Sequence, residues 1–167
     1  MRTFDFASGV NDLLTVGELE SPDAASRELF ERLFKAPIPD FPRHVVARYG
    51  ADQALAGYVH FTPMADFYLC GGMGLDARLY RRMPAAHRER IGAAGGVAEI
   101  MLRASFANLR DRDAIFGYCG DARAMRVDLR AGFERLDHPY LIVHWTRRLP
   151  ADVQAGRVAA AHALGPF

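Results

Sequence analysis

Two glycine clusters, Gly71-Gly72-Met73-Gly74 and Gly92-Ala93-Ala94-Gly95-Gly96, bracket a segment crowded with arginine. Such a composition suits anion binding. Glycine lets backbone N–H groups turn toward a ligand, and the N-terminus of a following helix adds partial positive charge. Arg88 and Arg90 stand just upstream of the second cluster as phosphate partners. The plainer alternative is an ordinary helix start. Neither cluster completes G-x-G-x-x-G and no P-loop lysine follows, so a Rossmann or P-loop site is not expected.

Single residues near these clusters have two readings each. Asp76 is a general base acting through water, or the cap of the next turn. Tyr118 is a phenol able to protonate a leaving thiolate, or a core tyrosine. Tyr80 touches substrate or packs its loop. Cys119 with Asp137 and His138 makes a poor triad, because adjacent turn residues point apart. His60 and His144 sit on strand patterns and read as packing or edge residues. The six histidines include no i, i+4 pair, so no zinc site is expected.

The elements that must position these residues follow from periodicity. Ala24 to Lys35 repeats apolar residues on one helical face, with Ser21 as N-cap and Pro22 at the first helical position. Asn11 to Leu19 fits helix or strand. His44–Tyr49 and Ala54–Phe61 form a hairpin around Gly50-Ala51-Asp52-Gln53, and Asp66 to Asp76 is a third strand opened by its glycines. Ala77 to Arg90 reads as a loop with one helical turn. Val97–Leu109 is an amphipathic helix, Ala114–Cys119 a short buried strand, and Ala122–Ala131 a helix closed by Gly132. Phe133–Leu136 and Tyr140–Thr146 are strands, and the tail from Pro150 to Phe167 is weakly helical. This order predicts a single α/β domain over residues 1–167. Its sheet is mixed and mostly antiparallel, with a crossover helix after the third hairpin strand.

Composition bounds the function. Of 167 residues, 50% are hydrophobic and 25% charged, as in an ordinary globular domain. The net charge of +1 makes no global case for a nucleic-acid partner. Apolar runs are too short to span a membrane, and no signal peptide is visible at Met1–Val10. Two cysteines are too few for a disulfide scaffold, so a reduced, cytoplasmic protein is expected. Lys35 is the single lysine. The arginine skew reads as codon bias of a GC-rich genome more than as phosphate chemistry.

The run from Asp121 to Phe133 resembles the fourth helix of the GNAT superfamily of N-acyltransferases, whose pattern is roughly N-x-x-A-x-x-x-Y-x-x-x-G-F. Ala124, Gly132 and Phe133 fall in register. Ala114–Cys119 sits where the family's fifth strand runs. Arg90-Ile91-Gly92-Ala93-Ala94-Gly95 is similar to its R-x-x-G-x-G/A pyrophosphate loop, with Ala93 at the central glycine. The order of elements matches over Arg43 to Trp145, roughly two-thirds of the chain.

The resemblance implies a splayed mixed sheet with acyl-CoA in the V between the family's fourth and fifth strands. It implies cosubstrate contacts at Met73, Gly74, Leu75, Arg90, Gly92, Ala93, Gly95, Gly96 and Asp121. Asp76, Asp128 and Tyr118 become the catalytic candidates. The activity implied is direct transfer of an acetyl group from acetyl-CoA to an amine on a small molecule or peptide. Backbone N–H groups near Met73–Leu75 would hold the oxyanion, and a homodimer is left open. Gly95→Asp is expected to weaken CoA binding by facing the pyrophosphate with a carboxylate.

Three departures stand out. Asp128 replaces the family's tyrosine, Asp121 replaces its asparagine, and the Leu75–Arg90 connection is several residues longer. The first of them, the missing tyrosine, favours as the alternative a non-catalytic acyl-CoA-binding or regulatory module. Strand alternation places Tyr118 opposite Gly117, which leaves room for a ligand on its own face, so an unaided thiolate is expected to leave.

Overall fold

Alternation along the third strand sends Val45 and Ala47 to one face of a sheet and Val46 to the other. The computed structural model describes all 167 residues. Its strands are β1 (Arg2–Thr3), β2 (Leu14–Leu19), β3 (Arg43–Tyr49), β4 (Ala54–Pro63), β5 (Phe67–Leu75), β6 (Ala114–Tyr118), β7 (Glu134–Arg135) and β8 (Leu141–Trp145). Its helices are α1 (Ala24–Phe34), α2 (Ala77–Arg82), α3 (Ala85–Ala93), α4 (Val97–Asn108), α5 (Ala122–Ala131) and α6 (Ala151–Ala163). The eight strands form one sheet in the order β1-β2-β3-β4-β5-β6-β8-β7. All neighbours are antiparallel except β5 and β6. The helices between those two return the chain to the same end of the sheet, which makes the pair parallel. The mixed, mostly antiparallel architecture matches the sequence reading.

The two faces are covered differently. Ile91, Ile100, Met101 and Met125 bring α3, α4 and α5 onto the face of Val45, Val59 and Ile115. Leu29 and Phe30 of α1 cover Val46 and Tyr58 on the other face. Ala161 of α6 joins Leu69 and Phe116 there. Aromatic edges lock this second layer, with Phe67 and Trp145 both T-shaped against Phe116. No helix is long and apolar enough to cross a membrane.

Four local expectations change. Asn11–Leu19 resolves as β2, because Leu14–Leu19 pairs with His44–Tyr49 along its whole length. The α1 cap is Asp23, not Ser21: its carboxylate accepts from the Ser26 amide at 2.9 Å. The pyrophosphate loop expected over Arg90 to Gly96 is helical as far as Ala93, leaving a turn at Ala94–Gly96. The loop expected over Ala77 to Arg90 is two helices. Asp76 caps α2, and Pro84 forces Met83 into an extended conformation before α3 begins. Between them these helices bury only Ile91, so no apolar stripe announced them.

Candidate active site

The site begins where two strands part. Pairing of β5 with β6 ends at Cys70–Gly117. Beyond it, Gly71–Leu75 stays bound to β4 alone, so one edge of β5 lies bare. A bare edge is a template for an extended, amide-bearing ligand. The same stretch carries a bulge, since Tyr58 to His60 on β4 spans Gly74 to Gly71 on β5. At the bulge Gly72 has φ +56, and a Cβ there would lie 2.4 Å from His60 Cε1 and 2.7 Å from Phe30 Cε2. Only glycine fits that position.

On the α4 side the bare edge faces a cleft of about 590 Å³, lined in part by Met73, Leu75, Arg81, Gly96 and Arg123. The N-terminus of α4 opens into it. No side chain caps α4 at Gly96, and the amides of Val97, Ala98 and Glu99 find no backbone partner. Uncapped first-turn amides next to two guanidinium groups form an anion cradle. The Glu99 carboxylate lies behind the turn, paired with Arg103 at 2.7 Å and Arg130 at 2.9 Å. A Cβ on Gly95 would sit 2.6 Å from that carboxyl, at φ +106. Gly95→Asp therefore strains the turn as well as charging it, and Ala98 offers the cleaner probe.

Asp128 joins this cleft to a second cavity of about 210 Å³ in the gap between β5 and β6. Cys70, Cys119, Phe133 and Ile142 line the second cavity from the α5 side, and Gly71, Tyr118 and Phe167 from the α6 side. Residues from both faces of the sheet thus border the gap. Burial raises the pKa of the Asp128 carboxyl, only partly offset by the hydrogen bond from Cys119. Burial and the neighbouring Asp128 push the Cys119 thiol up to about 11, and burial drives Cys70 upward too. Neither thiol is a nucleophile at neutral pH. A carboxyl with a raised pKa, by contrast, is suited to holding and delivering a proton.

The predicted residues divide. Met73, Leu75, Asp76, Gly95, Gly96, Asp121 and Asp128 line the cleft together. Gly74 faces α1 instead, its Cβ position 2.4 Å from Leu33 Cδ1. Arg90 lies on α3 and grips Asp12 through two bonds of 2.8 and 2.9 Å, so it braces the N-terminal segment. Gly92 and Ala93 are exposed within α3 and do not line the cleft. Tyr118 sits on the α6 face, its ring 6.1 Å from Tyr140 and 6.0 Å from Phe167, as alternation required. His138 stacks on His162 at 3.9 Å, not on Cys119.

Asp76 accepts from the amides of Arg78 and Leu79 and pairs with Arg32 at 3.2 Å. Burial pushes its pKa up, but those two amides and Arg32 together hold it below the ordinary carboxylate value. Three of its interactions are therefore structural. Sequence reasoning missed Arg81, Arg123 and Ala98. Their signal was position within the first or last turn of a helix, which is invisible until the helices are drawn.

Asp121 also caps a helix: its carboxylate accepts from the amides of Arg123 and Ala124 at 3.0 and 2.7 Å. Asp121→Ala is expected to cost about 1 kcal/mol of stability through the lost cap. Its affinity for acetyl-CoA should hold or rise, because a negative charge leaves the cleft. Weaker binding in a titration would show that the carboxylate itself contacts the ligand.

Comparison with solved structures gives this arrangement a family context. The ribosomal-protein-S18-alanine N-acetyltransferase of Escherichia coli superposes with a TM-score of 0.57 at 13% identity, over 84% of this chain and 98% of that one. YhhK from E. coli, solved bound to coenzyme A, gives 0.54 at 15% identity over 79% and 98%. The ribosomal-protein-S5-alanine acetyltransferase of Vibrio fischeri gives 0.52 at 10% identity over 90% and 100%. The fold is that of the GNAT N-acyltransferases. No protein-family model matches the sequence, and no curated protein matches it either. The likeness is therefore one of backbone fold and not of sequence.

Proposed function

We propose that the protein is an acyl-CoA-dependent N-acyltransferase that moves an acetyl group from acetyl-CoA to an amine. The observation that carries this reading is the bare edge of β5 leading to the uncapped N-terminus of α4. The edge suits the amide-rich pantetheine arm, and the helix end with Arg81 and Arg123 suits the phosphates. The acceptor is a small molecule or a peptide amine, and the setting is cytoplasmic.

The transfer is direct. The amine nitrogen bonds to the thioester carbonyl carbon while backbone N–H groups at the bulge, near Met73, hold the oxyanion. The carbon–sulfur bond then breaks, the nitrogen gives up a proton to water, and the sulfur takes one from Asp128. Water reprotonates Asp128.

Tyr118 has no part in this sequence. Tyr118→Phe should keep at least a tenth of wild-type turnover, a barrier change under about 1.4 kcal/mol. A hundredfold loss with acetyl-CoA affinity intact would make Tyr118 the acid instead.

The direct test is a thermal shift with acetyl-CoA followed by thiol release in the presence of an amine library. Stabilisation with release supports the transferase. Asp128 in place of the family's phenol favours a second reading, a non-catalytic acyl-CoA-binding module, which stabilisation without release would establish. No shift with acetyl-CoA would overturn both.

A further inference from the structure

One wall of the cleft is a helix with no apolar anchor of its own. α2 buries none of its residues and is held at its two ends. Asp76 caps the first turn, and the Arg88 guanidinium donates to the Met83 carbonyl just past the last. Ala77, Tyr80 and Arg81 stand at i, i+3 and i+4, so one stripe of this helix faces the cleft. Tyr80 keeps 39% of its surface exposed, and it is the one aromatic side chain lining the cleft. Arg81 is left out of the ion pairs around it, since Arg32 takes Asp76 and Arg90 takes Asp12.

The two rims of the anion cradle differ in charge. On the α5 rim, Arg123 stands beside the Asp121 carboxylate, and both line the cleft. On the α2 rim the carboxylate is already neutralised, because Asp76 accepts from two amides and pairs with Arg32. Arg81 therefore offers an uncompensated guanidinium next to an exposed phenol ring. The diphosphate of CoA suits open backbone amides, which the first turn of α4 supplies. Its 3′-phosphate is a monoester, with a charge of about −1.5 to −2 at neutral pH. Such a group is best met by a planar, permanently charged guanidinium with no carboxylate beside it. Adenine, like every base, has a π-face on which an aromatic side chain stacks.

We infer that α2 reads the adenosine end of the cosubstrate: Tyr80 stacks on the adenine and Arg81 pairs with the 3′-phosphate. The inference rests on the acyl-CoA reading above and names the part of the cosubstrate that this wall selects. It makes the protein specific for CoA over 3′-dephospho-CoA. Arg82, next along the helix, lines the crevice between α1 and α2 instead. One guanidinium, and not the whole arginine run, thus carries the selection.

The experiment measures Kd on the intact protein, by isothermal titration, for acetyl-CoA and for acetyl-3′-dephospho-CoA. Wild type should bind acetyl-CoA at least tenfold more tightly than the dephospho form. Arg81→Gln should erase that difference, weakening acetyl-CoA about tenfold and leaving the dephospho form within about twofold. Tyr80→Ala should weaken both forms about fivefold, with Tyr80→Phe recovering the loss. Arg123→Gln is the contrast and should weaken both forms alike. Equal wild-type affinity for the two forms, or discrimination that survives Arg81→Gln, would overturn the inference. An unchanged Kd in Tyr80→Ala would overturn the adenine contact. If acetyl-CoA binds and Arg81→Gln alters only the KM of an anionic acceptor, α2 reads the acceptor. This inference then fails while the transferase reading stands. If acetyl-CoA is not bound at all, both fail.

Discussion

Asp128→Asn is expected to lower kcat about 100-fold, within the range by which a positioned general acid accelerates a reaction, while leaving acetyl-CoA affinity within a factor of about three. The amide keeps the shape of the carboxyl and its place between the two cavities. What it loses is the proton for the departing sulfur. The same substitution should make the protein more stable at neutral pH. Burial raises the folded pKa of Asp128, so folding favours the protonated form. A group of this kind costs no stability below the ordinary carboxyl value of 3.8. Its cost grows as pH rises from there through the raised folded value, because the folded state then has to release the extra proton. The stabilisation in Asp128→Asn should therefore be present at pH 7 and vanish below 3.8. Melting curves at the two pH values, set beside steady-state kinetics, read both effects. A kcat within threefold of wild type would remove Asp128 as the acid and return the unaided thiolate expected from strand alternation. Wild-type kcat should also fall as pH rises through the Asp128 pKa, and that limb should be missing from the Asn variant.

Ala98→Asp carries the second large effect. Ala98 stands in the first turn of α4, with its amide unpartnered and the cleft in front of it. A carboxylate there suits the helix, since an anion near an N-terminus contributes about 0.3–1 kcal/mol. The same carboxylate confronts the phosphates of acetyl-CoA. At 4 Å, two like charges near a protein surface repel by about 4 kcal/mol before salt screening. Screening and side-chain movement reduce this, and a rise in Kd of about 10- to 100-fold is expected, some 1.4–2.8 kcal/mol. Helix stability and ligand affinity thus move in opposite directions, which separates a binding effect from a folding defect. Isothermal titration with acetyl-CoA gives the affinity, and thermal unfolding gives the stability. An unchanged Kd would mean that the anion rests somewhere other than the α4 terminus. Ala98→Lys is the companion variant and should bind at least as tightly as wild type.

Local signals foretold the frame that holds this site. The apolar runs His44–Tyr49 and Ala54–Phe61 on either side of the turn Gly50-Ala51-Asp52-Gln53 foretold the β3–β4 hairpin, because strand-forming residues bounded by turn residues pair with each other. Gly132, at φ +118, closes α5 where a left-handed residue was needed. Tyr118 faces away from Asp128 because strand side chains alternate between faces. The GNAT resemblance placed the splay at Phe67–Leu75, and the glycines of that strand marked a bulge, a bend or a close backbone approach, of which pairing with β4 shows the bulge.

Other features depended on contacts between distant segments. The α2–α3 pair was hidden because helices that bury only Ile91 leave no apolar period to read. Arg90 looked like a phosphate ligand from its place before a glycine cluster, yet its guanidinium reaches Asp12, far away along the chain. The raised pKa of Asp128 is a property of its burial and not of its residue type. The sequence by itself determined the β3–β4 hairpin, the strands β5, β6 and β8 and the glycine that ends α5, because propensity and turn chemistry act within a few neighbours. The tertiary structure alone decided which charges are paired, which amides stay open and which side chains meet across the sheet, because desolvation and pairing depend on whatever the fold brings alongside.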